Sequence, residues 1–417
     1  MNELYLQAVI DQKTELQQYS LGRYIERQEI NKIHLNSSLA QIIVGVRRSG
    51  KSTLAHLALK GKEYAYINFD DERFLNVKTD ELNSLLEILF KIYGDFDHLF
   101  MDEIQNVDGW NLFVNRLLRQ GVKIILTGSN SKLLSNELAT HLTGRYNLIE
   151  LYPFSFREVV NFKKMSLENI TTKDKGLQQN LFDSYCEQGG FPELFKEHFS
   201  KDYIGNLLKA IITKDILYRY NILQTKTFSE IANYIISNFS REISYNRIKN
   251  IFGMGSEHTV KNYVGYLEEA YLVLTLPKFS FKSQETLRYR KMYVIDTAFT
   301  SMFAVSFSLN IGYILENVVF LELRRRRLSG HFEIYYYKKN YEIDFVLYSG
   351  RKVIELIQVS SDLDSPKTLK REIKALLNAS VDLNCNRLTL ITRFNKNNVE
   401  ENGQTIEIVP VIDWLLR

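Results

Sequence analysis

The 417-residue chain is 45% hydrophobic and 24% charged, ordinary globular proportions that exclude a disordered or fibrous chain and point to two or three domains. Its net charge of +4 permits nucleic-acid binding without requiring it. Two distant cysteines, Cys186 and Cys385, form neither a metal spacing nor a disulfide framework. The amino-terminal stretch lacks an apolar signal core, and no apolar run approaches a membrane span, so a cytoplasmic chain with no membrane partner is expected.

In chain order, the first informative stretch is "IIVGVRRSGKSTLAHLAL", a β-type run followed by Gly45-x4-Gly50-Lys51-Ser52 and then an apolar helix. A polyphosphate needs backbone N–H donors aimed inward, the positive end of a helix, a lysine charge and a hydroxyl for Mg²⁺. Gly45, Arg48, Ser49, Gly50, Lys51, Ser52 and Thr53 are the expected ATP-binding residues. "HLFMDEIQNVDGW" then delivers Asp102 and Glu103 at the carboxyl end of a buried strand. Asp102 is expected to hold Mg²⁺ with Ser52, and Glu103 to activate water beside Lys51, since phosphoryl transfer needs charge neutralisation and positioning. "VKIILTGSNS" ends in Thr127, Ser129 and Asn130, which either sense the γ-phosphate or form a polar turn. Arg145 is either an arginine finger, for its own or a neighbouring subunit, or a surface residue.

"GVRRSGKST", "FMDEIQNVDGW", "ILTGSNSKLL", "LTGRYNLIELYPFSFREV" and the later "YCEQGGFPEL" together resemble prokaryotic AAA+ ATPases that carry a carboxyl-terminal domain of unknown function. The resemblance implies a RecA-like parallel sheet, ATP and Mg²⁺ as ligands, Asn130 as the first sensor, and a homo-oligomer, with a hexamer as its suggested form. It covers nearly the whole chain.

Residues 161–222 read as a helical lid beside a 1–160 ATPase domain, with Gly189-Gly190 ending one helix before Pro192 starts the next. Three amphipathic helices and two strands over 223–300 have winged-helix spacing. There, His258, Thr259, Lys261 and Asn262 would face DNA bases, and Lys278, Lys282, Arg288, Arg290 and Lys291 phosphates, unless the module serves only packing.

Over 301–417 the pattern is α/β again and resembles a PD-(D/E)xK nuclease fold, a restriction-endonuclease-like domain, with Glu316 on a helix and Asp344 on a strand. The third element departs from it. "VIELIQVS" offers Gln358-x-Ser360 without the lysine, and strand alternation puts Glu355 on the face opposite Ile354, Leu356, Gln358 and Ser360 unless a bulge intervenes. A lysine could arrive from Lys338, Lys339, Lys352, Lys367 or Lys370, and Glu316 and Asp344 could instead pair with the Arg324–Arg327 run. The expectation is an ATPase coupled to DNA, branched DNA included. The alternatives are an ATP-gated protein-binding or signalling switch, and a metal-dependent endonuclease with an atypical Gln-x-Ser site.

Overall fold

The computed structural model describes residues 3–18, 24–75, 77–129, 142, 144–167, 171–196, 202–303, 307–361 and 365–417. The chain divides into two compact units, 1–153 with 269–271, and 154–268 with 272–417.

The first unit is built on five parallel strands, β1 (Ala40–Val44), β2 (Tyr64–Asn68), β3 (His98–Asp102), β4 (Lys123–Gly128) and β5 (Tyr146–Glu150), in the order β2-β3-β4-β1-β5. β1 and β3 are buried along their whole length, as continuous apolar runs in a sheet covered on both faces should be. Ile43, Phe100, Ile125 and Ile149 share a core with Leu54 and Ala55 of the Lys51–Ala58 helix. After β1 the chain crosses β4 and β3 to reach β2, whereas after β4 it returns past β1 to β5. The connections therefore diverge between β1 and β4, and the crevice at their carboxyl ends is where an open α/β sheet takes ligands. This is a RecA-like P-loop arrangement. Edge strand β2 is closed by the Glu3–Gln18 helix, whose buried Gln12 donates to the Asn68 carbonyl at 3.0 Å and accepts from the Asn68 N–H at 2.9 Å.

In the second unit the Thr172–Gln188 helix stops at Gly189, whose φ is 84°. A Cβ there would also stand 1.7 Å from Asp296 Oδ1. The buried Asp296 carboxylate accepts the N–H groups of Gly190 at 2.8 Å and Ala298 at 2.9 Å, so the "GGFPE" stretch is a turn clamped by a distant acid. Burial pushes the Asp296 carboxyl up to about 6.

Helices Thr225–Ser237, Tyr245–Ile251 and Glu257–Glu269 accompany a small antiparallel sheet of β6 (Arg241–Ile243), β7 (Val273–Pro277) and β8 (Arg290–Val294), ordered β6-β8-β7. A six-stranded sheet follows, from β9 (Glu333–Lys338), β10 (Glu342–Ser349), β11 (Lys352–Ser360), β12 (Leu388–Thr392), β13 (Asn397–Glu401) and β14 (Gln404–Pro410), ordered β13-β14-β12-β11-β10-β9. The two sheets lie in the same unit, and the Phe279 N–H donates to the Tyr336 carbonyl at 2.6 Å between them.

The alternation expected of β11 is open to a bulge, and one is present. Leu347 pairs with Glu355 but Tyr348 with Val353, which leaves Ile354 as an extra residue. Such a bulge resets alternation: Val353 joins Leu356 in the core while Ile354 is half-buried.

Candidate functional site

The phosphate loop connects β1 to the Lys51–Ala58 helix. A Cβ on Gly45 would stand 2.1 Å from the Leu151 carbonyl oxygen, so only glycine lets the loop leave β1 beside the chain following β5. The helix opens directly after Gly50, and its first-turn N–H groups have no partner within the helix. Lys51 is buried, donates to the Val46 carbonyl at 3.1 Å and stands 3.8 Å from Glu103. Ser52 Oγ donates to Asp102 at 3.0 Å. Arg48 is exposed at φ 68°, and Ser49 is fully buried beneath the loop. Thr53 is half-buried on the helix. Arg27, absent from the sequence expectations, ties the loop to the chain after β5 by donating to the Ser49 carbonyl at 3.5 Å and the Tyr152 carbonyl at 2.6 Å.

The two acids end differently. Asp102 accepts from Ser52 and Thr127 and is buried; burial, with the neighbouring Glu103 charge, pushes its carboxyl up to about 6. Glu103 sits in the left-handed region at φ 52°, a costly conformation for a non-glycine residue, and accepts from Gln105, from Ser129 N–H at 3.2 Å and from Ser129 Oγ at 3.1 Å. Burial alone would raise its carboxyl, but Lys51 and these donors hold it below the usual range. Thr127 and Ser129 thus engage the acids in this arrangement, and Asn130 lies outside the described residues. Arg145 is exposed beside the amino end of β5, where its carbonyl accepts the Ala40 N–H. Strand β1, at ~3.3 Å per residue, places it about 16 Å along the sheet from its own phosphate loop.

A second constellation occupies the other unit. Glu316, on the Phe307–Gly330 helix, and Asp344, on β10, come together as expected, but the cation beside them is Lys291 of β8. Its buried ammonium lies 2.6 Å from Glu342, 2.9 Å from Glu316 and 3.1 Å from Asp344. Of the three acids around Lys291, Lys338 pairs with Glu342, at 3.4 Å, and it also pairs with Glu242 at 3.2 Å; Lys339 pairs with Asp382, and Lys352, Lys367 and Lys370 are exposed. Glu316 also accepts from Tyr293 at 2.7 Å, and burial pushes its carboxyl up to about 7. Burial raises Asp344 as well. Gln358 accepts the Asp344 N–H at 3.2 Å and donates to Glu372 at 3.0 Å, so both ends of its amide are committed within the protein. Glu355 turns elsewhere, to Thr389 and Arg387.

A family model described as an AAA domain matches residues 37–160, and models of two domains of unknown function match 179–308 and 311–413. Over 403 residues the chain is 38% identical to uncharacterized protein MJ1544 of Methanocaldococcus jannaschii, covering 92% of this chain and 90% of that one. The chain belongs to that protein's family. Its amino-terminal third is an AAA domain of the P-loop ATPase class. An uncharacterized protein of Haemophilus influenzae is 29% identical over 402 residues, 92% of this chain and 95% of that one. Among solved structures, the Walker-type ATPase PABY2304 of Pyrococcus abyssi has a TM-score of 0.41 at 14% identity over 67% of this chain and 95% of that chain, a likeness too low to carry an argument.

In this family member the basic residues expected on phosphates are largely engaged by the protein. Lys291 is buried, correcting its assignment to a phosphate-facing surface; Lys278 pairs with Glu285 at 3.1 Å, and Arg290 donates to Thr275 at 3.0 Å. The Arg324–Arg327 run is half-buried; Arg325 and Arg326 pair with Glu322, and Arg327 with Glu333. These partners are neither Glu316 nor Asp344. Of the base-facing set, His258, Lys261 and Asn262 are exposed and Thr259 is half-buried. Glu372 escaped sequence reasoning, although its spacing to Leu376, Ala379 and Leu383 marked a carboxylate on the apolar face of the Pro366–Leu383 helix.

Proposed function

We propose that the chain hydrolyses ATP and couples turnover to binding DNA. The observation that carries the ATPase reading is the meeting of Lys51 and Ser52 with Asp102 and Glu103 at the carboxyl ends of β1 and β3. The loop Gly45–Ser52 would cradle the phosphates through backbone N–H groups and the helix amino end, with Lys51 as a point charge on the outer phosphates. Ser52 and Asp102 are hard oxygen donors suited to Mg²⁺, which when bound supplies charge neutralisation. Glu103 would accept the proton of the attacking water, and its depressed pKa keeps it ionised for that role. Its hydrogen bonds to Gln105 and Ser129 set its orientation. Arg145 would act on the nucleotide of a neighbouring copy in a homo-oligomer.

The DNA reading takes the three helices and small sheet as a winged helix, and is supported by the exposed His258, Lys261 and Asn262 on the amino half of the third helix. A second reading, an ATP-gated switch acting on a protein partner, is favoured by the internal pairing of Lys278, Lys291 and Arg325–Arg327. Measuring ATP turnover with linear, single-stranded and branched DNA separates them. Stimulation that falls steeply with salt supports DNA, and turnover indifferent to every DNA supports the switch. Glu103→Gln tests the ATPase itself: bound ATP with turnover lost supports the assignment, and unchanged hydrolysis overturns it.

A further inference from the structure

The carboxylates of Glu316, Glu342 and Asp344 come from a helix and a strand of the carboxyl-terminal region, yet they converge on an ammonium from the small sheet that precedes it. Three oxygens lie within 3.1 Å of Lys291 Nζ, and the Lys291 side chain is almost fully buried. An ammonium offers three donors, and these three carboxylates can take all of them. Such a point, ringed by acidic oxygens, is where a cation must sit, because carboxylates buried together without one repel each other. Among the described residues no group of acidic, histidine or cysteine side chains is placed to hold a metal; the oxygens stand at ammonium distances, longer than the ~2.0–2.1 Å that Mg²⁺ demands. Gln358, which the nuclease resemblance would aim at a metal, is turned to the Asp344 backbone and Glu372.

We propose that Lys291 is the resident cation of this centre: it stands where a hydrolytic centre built from these acids would take a divalent metal, closes the centre to metal, and serves as a joint fastening the small sheet to the six-stranded sheet. The joint has independent supports beside it. Glu242 of β6 accepts from Tyr336 and Lys338 of β9, each at 3.2 Å, and the Phe279 N–H reaches the Tyr336 carbonyl. The small sheet therefore moves with the carboxyl-terminal sheet, and the chain cuts no phosphodiester through Glu316 and Asp344.

The proposal rests on neither the ATPase nor the DNA reading, and its test needs no nucleotide. Mn²⁺ is titrated into the nucleotide-free full-length protein and followed by electron paramagnetic resonance and by thermal melting. The wild type is expected to show no Mn²⁺ site sensitive to Asp344→Asn. Lys291→Ala is expected to melt lower by on the order of 10 °C, and Mn²⁺ is expected to recover part of that loss, except when Asp344→Asn is added. A wild-type Mn²⁺ site removed by Asp344→Asn overturns the proposal, as does a folded Lys291→Ala that melts with the wild type or takes up no Mn²⁺. If Lys291→Ala fails to fold, the wild-type titration decides: Mn²⁺ binding indifferent to Asp344→Asn supports the proposal, and binding lost with it overturns it.

Discussion

Each unit of the molecule holds a buried lysine against acidic side chains, and the two lysines are set up for different work. Lys51 stands 3.8 Å from Glu103 at the carboxyl end of a parallel sheet, at the start of the helix that follows the phosphate loop. Lys291 has three carboxylate oxygens within 3.1 Å and almost no exposure. A charge whose neighbouring acid stands at 3.8 Å, beside a crevice, can turn its attraction to an incoming anion. A charge saturated by its own protein is a fastener, because dislodging it strands buried carboxylates. Burial and residue type are the same; the distance to the neighbouring carboxylates separates them.

That contrast is broken or sharpened by substitution. The largest effect is expected at the first lysine's centre: Glu103→Gln should cut ATP turnover by about 10²- to 10⁴-fold while leaving nucleotide binding intact, as read by fluorescent-nucleotide titration beside steady-state hydrolysis. Lys51→Ala should remove binding itself. At the second lysine, Lys291→Met should cost about 3–5 kcal/mol in denaturant unfolding and leave ATP affinity unchanged. A loss of affinity there would erase the distinction between the centres.

A smaller effect concerns a buried acid with no cationic partner of Lys291's kind. The Asp296 carboxyl is raised above its unfolded value to about 6, so the native state binds the proton more tightly. Its contribution is fully present below about pH 4, the ordinary aspartate value, and is lost as pH rises through 6. A rise of that size corresponds to about 3 kcal/mol. Asp102 and Glu316, raised in the same direction, lose stability over the same range, so unfolding measured between pH 4 and 7 should show a summed decline that Asp296→Asn reduces by about 3 kcal/mol. The smallest effect is at the surface: in a DNA-binding chain, Lys261→Ala should weaken DNA binding nearly evenly across sequences and reduce the salt slope by about one.

The two centres are unequally legible in the sequence, for a physical reason. The phosphate cradle is made by eight consecutive residues, Gly45 to Ser52, so its chemistry is written in local spacing, and Asp102 and Glu103 are placed by the strand they end. Glu316 and Asp344 were also recognisable, since a helix-then-strand pattern carries them. Lys291 was not: it precedes Glu316 by 25 residues and Asp344 by 53, across a boundary that the pattern change near residue 300 suggested. The lysines that spacing offered as substitutes all lie on the carboxyl-terminal side of that boundary. The bulge at Ile354 could be named only as a condition for a related reason, because only the pairing partner on β10 reveals the extra residue.

The amino-acid sequence by itself determined the strand–loop–helix of the phosphate site, its acidic pair, the Gly189-Gly190 helix stop and the absence among described helices of any long and apolar enough to cross a membrane. Tertiary structure decided which charges remain for a ligand. Arg145 lies at the amino end of β5, Arg325–Arg327 were claimed by Glu322 and Glu333, and Lys291 was drawn into the acids of a neighbouring sheet. Spacing along the chain sets which backbone groups and side chains share a loop or a face. The partners of a charge are set by contacts between segments far apart in sequence, and only folding brings those together.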